Sequence, residues 1–208
     1  MTTLSTKQTV RADFFRRRTE LPRETREAEV PAVRSALADW LAAHPGARVA
    51  AYVPVGTEPG GSDLPSWLAS QGARVLLPIV LPSMDLDWSE YEPGEELVLT
   101  SRQLLEPGGT RLGRFAVAAC NLVLVPALAA DRRGTRLGRG AGCYDRALTR
   151  VPRDVPLVAL LHDGELVAEL PAEPHDRPVT AVITPSGGWC DLPDSTPALD
   201  DSAAMTHT

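Results

Sequence analysis

The stretch Leu122-Val-Leu-Val-Pro126-Ala-Leu-Ala-Ala-Asp-Arg-Arg-Gly-Thr-Arg-Leu-Gly-Arg-Gly-Ala-Gly-Cys-Tyr-Asp145 decides how this chain folds and where it binds. Its first four residues form a short, continuous apolar run, the pattern of a strand buried on both faces. Its last residues enter a helix expected from about Gly142 to Arg150. In open α/β sheets, ligands bind beyond the carboxyl ends of strands, which is where the intervening segment would lie. Gly134, Gly138, Gly140 and Gly142 let the backbone approach a ligand closely, and the start of the helix adds partial positive charge. Arg136 and Arg139 supply forked donors that match phosphate oxygens. The segment has neither the GxxxxGK[ST] pattern nor GxGxxG, and a solvated, inert Gly/Arg turn is the other reading of its spacing. Four glycines interleaved with arginines between a strand and a helix favour an anion cradle.

Working outward, the chain alternates strand-like and helix-like segments. A basic helix is expected from Ser5 to Arg18, with Val10, Phe14 and Phe15 on one stripe, and a second from Pro31 to Ala43, with Pro31 in its first turn. Arg48 to Val53 and Arg74 to Val80 read as strands on either side of a helix from Ser62 to Gln71. Met84, Leu86 and Trp88 alternate with Asp85, Asp87 and Ser89, the period of a strand with one wet face. Pro156 to Leu161 and Val179 to Thr184 complete the set of strands. Strand, helix, strand in that order is the βαβ unit, so the expected class is α/β, a mainly parallel open sheet flanked by helices. One domain is expected over residues 1–190. The acidic tail, residues 191–208, has almost nothing to bury and is expected to be disordered.

Composition narrows the function. The chain has 208 residues, 43% of them hydrophobic, and its 16 glycines and 19 prolines stay below the ~25–30% of low-complexity chains, so a packed core is expected. The longest uncharged apolar run, Phe115 to Ala130, which includes Cys120 to Ala130 and is broken by Asn121 and Pro126, is short of the ~20 residues that cross a bilayer, and no apolar segment follows the basic N-terminus as in a secretory signal. A cytoplasmic location and no membrane partner are therefore expected. Cys120, Cys143 and Cys190 are too few and scattered for a disulfide framework or a zinc site. The net charge of −6 argues against nucleic acid. Against that average, Arg132, Arg133, Arg136, Arg139 and Arg146 face only Asp131 and Asp145, a local excess that suits small phosphorylated ligands.

The segment Gly134-Thr-Arg-Leu-Gly-Arg-Gly-Ala-Gly-Cys-Tyr-Asp-Arg-Ala-Leu148 resembles the GxRLGxGxGYYDRxL signature of the 5-formyltetrahydrofolate cyclo-ligase (5,10-methenyltetrahydrofolate synthetase) family. Further landmarks follow in order. Lys7 and Arg11 match an N-terminal K-x-x-x-R, and Glu58 in Pro54-Val-Gly-Thr-Glu58 matches a glutamate after the first strand. Glu106-Pro107 matches a mid-chain EP, and Pro174-His-Asp-Arg-Pro-Val179 a late hDxxV. The chain departs from the pattern at Ala130, Ala141, Cys143 and Thr180. The resemblance implies a sheet like that of sugar-phosphate isomerases and CoA transferases. It also implies an ATP- and Mg²⁺-dependent conversion of 5-formyltetrahydrofolate into 5,10-methenyltetrahydrofolate, with release of ADP and phosphate.

In that family reaction the formyl oxygen is phosphorylated, the neighbouring secondary amine attacks the formyl carbon, and phosphate departs. Carried onto this chain, Arg139 and Tyr144 are the catalytic candidates. Lys7, Arg11, Arg136, Leu137, Gly138, Arg139, Gly140, Ala141, Gly142, Cys143 and Tyr144 would hold the nucleotide. Val53, Glu58, Met84, Trp88, Arg139 and Tyr144 would hold the folate, and Asp145 with Asp176 would bind Mg²⁺. Read without the resemblance, Lys7 and Arg11 are a solvated basic face, Glu58 and Asp176 are turn residues, and Met84 and Trp88 belong to the core. Asp145 would then be a first-turn carboxylate favoured by the helix dipole. His162 and His175 are read as structural, and a monomer is expected. Two rival functions stay open: a non-catalytic folate- or nucleotide-binding relative, and a sugar-phosphate isomerase-like enzyme with no need for ATP.

Overall fold

The computed structural model describes residues 3–173 and 176–193, without the side chains of residues 3–6. Two helices come first, α1 (Thr3–Glu20) and α2 (Arg23–Ala43). Strand β1 (Arg48–Ala50), helix α3 (Leu64–Ser70) and strand β2 (Arg74–Val80) form a βαβ unit, and β3 (Leu86–Glu90) turns back along β2. A small hairpin, β4 (Val98–Leu99) and β5 (Leu105–Glu106), and a 3₁₀ turn at Ala116–Ala119 lead to β6 (Leu122–Val125). After it come β7 (Ala129–Asp131), β8 (Arg136–Leu137), α4 (Cys143–Leu148), β9 (Leu157–Leu160) and β10 (Leu166–Val167). The hairpin of β11 (Ala181–Thr184) and β12 (Gly188–Asp191) closes the domain.

The main sheet has the order β12-β11-β9-β6-β1-β2-β3. All pairs from β11 to β2 are parallel, while β12 and β3 run antiparallel at the two edges. This arrangement follows from the apolar runs of β6 and β9, which have no polar side chain to turn toward water on either face. Alternate residues feed two cores. Leu122, Leu124, Val158 and Leu160 pack with Val33, Leu37 and Leu41 of α2 and Leu64 and Leu68 of α3. Val123, Val125, Leu157 and Ala159 pack with Ala147 and Leu148 of α4 and Leu86 and Trp88 of β3. Each fully buried leucine or valine is worth roughly 1.5–3 kcal/mol over its exposed state, so the sheet is clamped from both sides.

Four expectations are corrected by the structure. Pro31 lies inside α2, eight residues past its start, because the helix begins at Arg23; Pro31 and Glu27 are both exposed, so water can satisfy the carbonyl that loses its amide partner. Strand β3 has no wet face: Asp85, Asp87 and Ser89 are buried with Leu86 and Trp88. Asp85 receives Arg150 at 2.6 Å and Arg114 at 3.3 Å, and Asp87 accepts the backbone N–H groups of Trp88 and Gly113 at 2.7 and 2.8 Å. The glycine-rich segment is no plain loop, since β7 and β8 pair within it and β10 adds a third strand. At the C-terminal end, β12 runs to Asp191 and the buried Leu192 donates its N–H to Thr180 O, so packed structure continues past residue 190. The remaining tail, from residue 194, lies outside the described residues, as do Pro174 and His175.

Candidate active site

The carboxyl ends of β1, β2 and β6 open into one cavity. Tyr52, Val53 and Glu58 line it from the segment after β1, Val80 from the end of β2, and Pro126, Ala127 and Leu128 from the segment after β6. Arg136, Gly138, Arg139, Gly140, Ala141, Gly142, Cys143, Tyr144 and Asp145 form a further part of its wall. The signature segment and the glutamate after the first strand thus face one space, although they lie far apart in the chain.

Two of the glycines show what bends this wall. Gly134 has φ +83°, and a Cβ there would lie 2.3 Å from Val179 O. Its close approach is therefore to the chain before β11, locked by Val179 N donating to Gly134 O at 2.9 Å, and the expectation that Gly134 cradles a ligand is corrected. Gly140 has φ +99°, and a Cβ there would lie 3.3 Å from the Arg11 guanidinium. Any side chain at 140 would be strained and would crowd that cation. Helix α4 is only six residues long, so the arginines supply more of the positive charge at this wall than the helix end does.

The charged groups are arranged as pairs. Arg139 meets the Glu58 carboxylate at 3.0 Å, and Arg136 is paired with Asp145. Arg11 Nε donates to Gly138 O at 2.9 Å, tying α1 to the glycine-rich wall. Lys7 is buried and salt-bridged to Asp176 at 2.8 Å and to Glu173 at 3.4 Å. Burial pushes the Glu58 carboxyl above the ordinary glutamate range; Arg139 and the Val55 N–H, 2.9 Å away, oppose that rise without cancelling it. Burial likewise raises the Tyr144 phenol, with Glu58 adding to the rise, so it stays protonated. The Tyr144 hydroxyl and Arg136 Nε are buried without a protein partner among the described residues. Two unmatched donors in a cavity wall are available to a polar ligand or to water.

Of the residues expected here, Val53, Glu58, Arg136, Gly138, Arg139, Gly140, Ala141, Gly142, Cys143, Tyr144 and Asp145 line the cavity. Lys7 and Arg11 are not among the lining residues; Arg11 holds Gly138 of the wall, and Lys7 pairs with Asp176 and Glu173. Leu137 does not line it; its side chain is in a small core with Phe14, Leu128 and Leu170. Met84 sits in the turn before β3, at φ +62°, with its carbonyl accepting from Arg146 Nη2 at 2.7 Å. Trp88 is in the core, and Leu86, two residues earlier on the same face, takes the place expected for it in the cavity wall. Leu104, Leu105 and Glu106 were missed as lining; the Glu106-Pro107 landmark was the available signal, and Glu106 accepts Val80 N–H at 3.1 Å. Cys143 is a half-buried thiol whose pKa burial raises, in keeping with a space-filling role.

The donor set also bears on a divalent cation. Among the described residues no group of three or more His, Cys, Asp or Glu could hold a metal ion. Magnesium carried on phosphate oxygens needs only one or two protein carboxylates, and Asp145, at the cavity wall, suits that demand. Asp176 lies outside the residues that line the cavity, accepts the Glu173 N–H at 2.8 Å and is salt-bridged to Lys7 at 2.8 Å.

Residues 3–185 match the model of the 5-formyltetrahydrofolate cyclo-ligase family. The chain is 42% identical over 190 residues to the 5-formyltetrahydrofolate cyclo-ligase of Mycolicibacterium smegmatis, covering 88% of this chain and 95% of that one. It is 36% identical over 121 residues to the Escherichia coli protein of the same name, covering 57% and 66%. Its fold superposes on the solution structure of Aquifex aeolicus 5,10-methenyltetrahydrofolate synthetase with a TM-score of 0.72 and 25% identity, covering 90% and 93%. A 5,10-methenyltetrahydrofolate synthetase from Mycoplasma pneumoniae shares the fold at a TM-score of 0.67 and 19% identity, covering 85% and 96%.

Proposed function

The chain belongs to the 5-formyltetrahydrofolate cyclo-ligase family, and from that premise we propose that it uses ATP with Mg²⁺ to convert 5-formyltetrahydrofolate into 5,10-methenyltetrahydrofolate, ADP and phosphate. The observation that carries this reading is the placement of Glu58 and Arg139, 3.0 Å apart, in the lining of one cavity. A carboxylate at the end of a strand can accept hydrogen bonds from the amino and ring N–H groups of a pterin. A guanidinium beside it can hold the phosphate being transferred. Side chains so placed would bring the formyl group and the terminal phosphate together, and alignment is the main demand of phosphoryl transfer.

Arg139, half-exposed, is free to turn from Glu58 to an incoming phosphate, while Arg136 adds a second cation and its unmatched Nε. Tyr144 keeps its proton and can donate it in a hydrogen bond to a substrate oxygen. Asp145 would hold Mg²⁺, which supplies neutralisation of charge on the phosphate oxygens. Arg136, paired with Asp145 here, would turn to the phosphate when that carboxylate holds the cation. Val53, Val80 and Leu86 give an apolar surface for the folate rings and exclude water from the reacting atoms.

The test is a near-ultraviolet assay for the methenyl chromophore with 5-formyltetrahydrofolate, ATP and Mg²⁺, omitting each in turn. The reading expects product only in the complete mixture. Folded protein that binds folate without forming product would instead be a binding relative, and turnover without ATP would point to isomerase-like chemistry.

A further inference from the structure

Outside the cavity lies a buried polar cluster that the proposed chemistry leaves unused. His162, just past the end of β9, is 3% exposed. Its Nδ1 lies 2.5 Å from the Glu29 carboxylate of α2, and its Nε2 lies 2.9 Å from Thr57 O. The His162 N–H donates to Glu165 at 2.8 Å, and Glu165 is bidentate with the buried Arg18 of α1. Arg18 in turn donates to Ala127 O at 2.7 Å, in the cavity wall. One histidine thus joins both N-terminal helices to the segment after β1.

The partners orient the ring. A carbonyl oxygen only accepts, so Nε2 is the donor to Thr57 O, and Nδ1 faces the Glu29 carboxylate. A carboxylate–histidine pair whose third partner is a hydroxyl or thiol would activate a nucleophile. Here the third partner is a main-chain carbonyl and His162 does not line the cavity, so proton transfer to substrate is not its task. Thr57 immediately precedes Glu58, in a turn where Glu58 N donates to Val55 O at 3.2 Å and the Glu58 carboxylate accepts Val55 N–H. Holding the Thr57 carbonyl therefore holds the turn that aims Glu58.

We propose that His162 is a positioning residue for substrate recognition: keyed to α2 through Glu29, its ring holds the Thr57 carbonyl and so fixes the turn that presents Glu58 to the cavity. The claim rests on the reading of Glu58 as the folate contact, but the fixing of the turn can be measured apart from it.

Four proteins separate this role from simple packing: the unaltered chain, His162→Leu, His162→Asn and His162→Gln. A glutamine amide reaches the place of Nε2 and keeps the donation to Thr57 O, whereas asparagine reaches only the place of Nδ1. His162→Leu and His162→Asn should raise KM for 5-formyltetrahydrofolate ~10-fold with kcat and KM for ATP nearly unchanged, and His162→Gln should restore most of the loss. Amide hydrogen exchange at Val55 and Glu58 should quicken in the Leu and Asn variants and not in the Gln variant. Equal KM and equal exchange in the Asn and Gln variants would overturn the proposal, whatever happens to melting temperature. If the unaltered protein forms no methenyl product, the functional reading fails, while the exchange rates still decide whether His162 fixes the turn.

Discussion

At Glu58, burial and ion pairing pull in opposite directions, and burial prevails. A carboxyl whose folded pKa is raised favours folding below its unfolded pKa, and that contribution is lost as pH rises through the folded value. Recognition of pterin donors has the opposite sign, since it needs the ionised form. Folate binding should therefore weaken as pH falls through a range above that of an ordinary glutamate, and Glu58→Gln should remove this limb from the pH profile of KM. A variant with the same acidic limb would assign it to another group. Arg139→Ala should lower kcat by about 10²–10³, the loss seen when one charge-stabilising donor is removed. Its side chain is 45% exposed, so melting temperature should hardly move; a change confined to stability would make Arg139 a surface residue only. These two residues, with Tyr144 and Asp145, were legible from the signature and its neighbours. Trp88 was not, because a period of two tells which face of a strand a residue occupies and not how far along that face the cavity reaches.

Elements show a similar division. The strands β2 and β6 have the bounds their apolar runs suggested; Asn121 and Pro126 flank β6 directly, and Gly72 and Pro82 lie two residues outside β2. Strand β3 was read as half-wet because its acids alternate with apolar residues, and nothing local announced that Arg150 of the segment after α4 would bury one of them. Burial alone would raise the Asp85 pKa, but the hydrogen bonds from Arg150 and the Leu86 N–H, with the Arg150 charge, bring it below the usual aspartate range. A lowered carboxylate stabilises the fold above its unfolded pKa and loses that contribution as pH falls through the folded value. Asp85→Asn should thus cost about 1–3 kcal/mol at neutral pH, measured by denaturant unfolding, and the gap should close in acid. A constant gap would mean that packing, not charge, is at stake. In α2, Pro31→Ala restores an amide donor at an exposed interior position and should stabilise the protein by roughly 1–3 kcal/mol. A loss of stability would show that the helix depends on a bend at Pro31.

For the whole molecule, the α/β class and the parallel centre followed from the order of apolar runs, while the antiparallel edges did not. Strand β12 is half-exposed and contains glycine, so its four residues carry little hydrophobic signal, yet pairing with β11 adds it to the sheet. The site was legible as a segment but not as a place: Glu58, the hairpin of β4 and β5, and the signature wall meet only when β1, β2 and β6 lie side by side. Among the described residues no helix is long and apolar enough to cross a membrane. What the assembled site is proposed to do is transfer the terminal phosphate to the formyl oxygen, so that this oxygen leaves in the phosphate. The measurement that addresses this directly is turnover of 5-formyltetrahydrofolate carrying ¹⁸O in the formyl group, with mass spectrometry of the phosphate released. One ¹⁸O in each phosphate formed is the expected result; unlabelled phosphate formed in step with the methenyl product would contradict transfer to that oxygen.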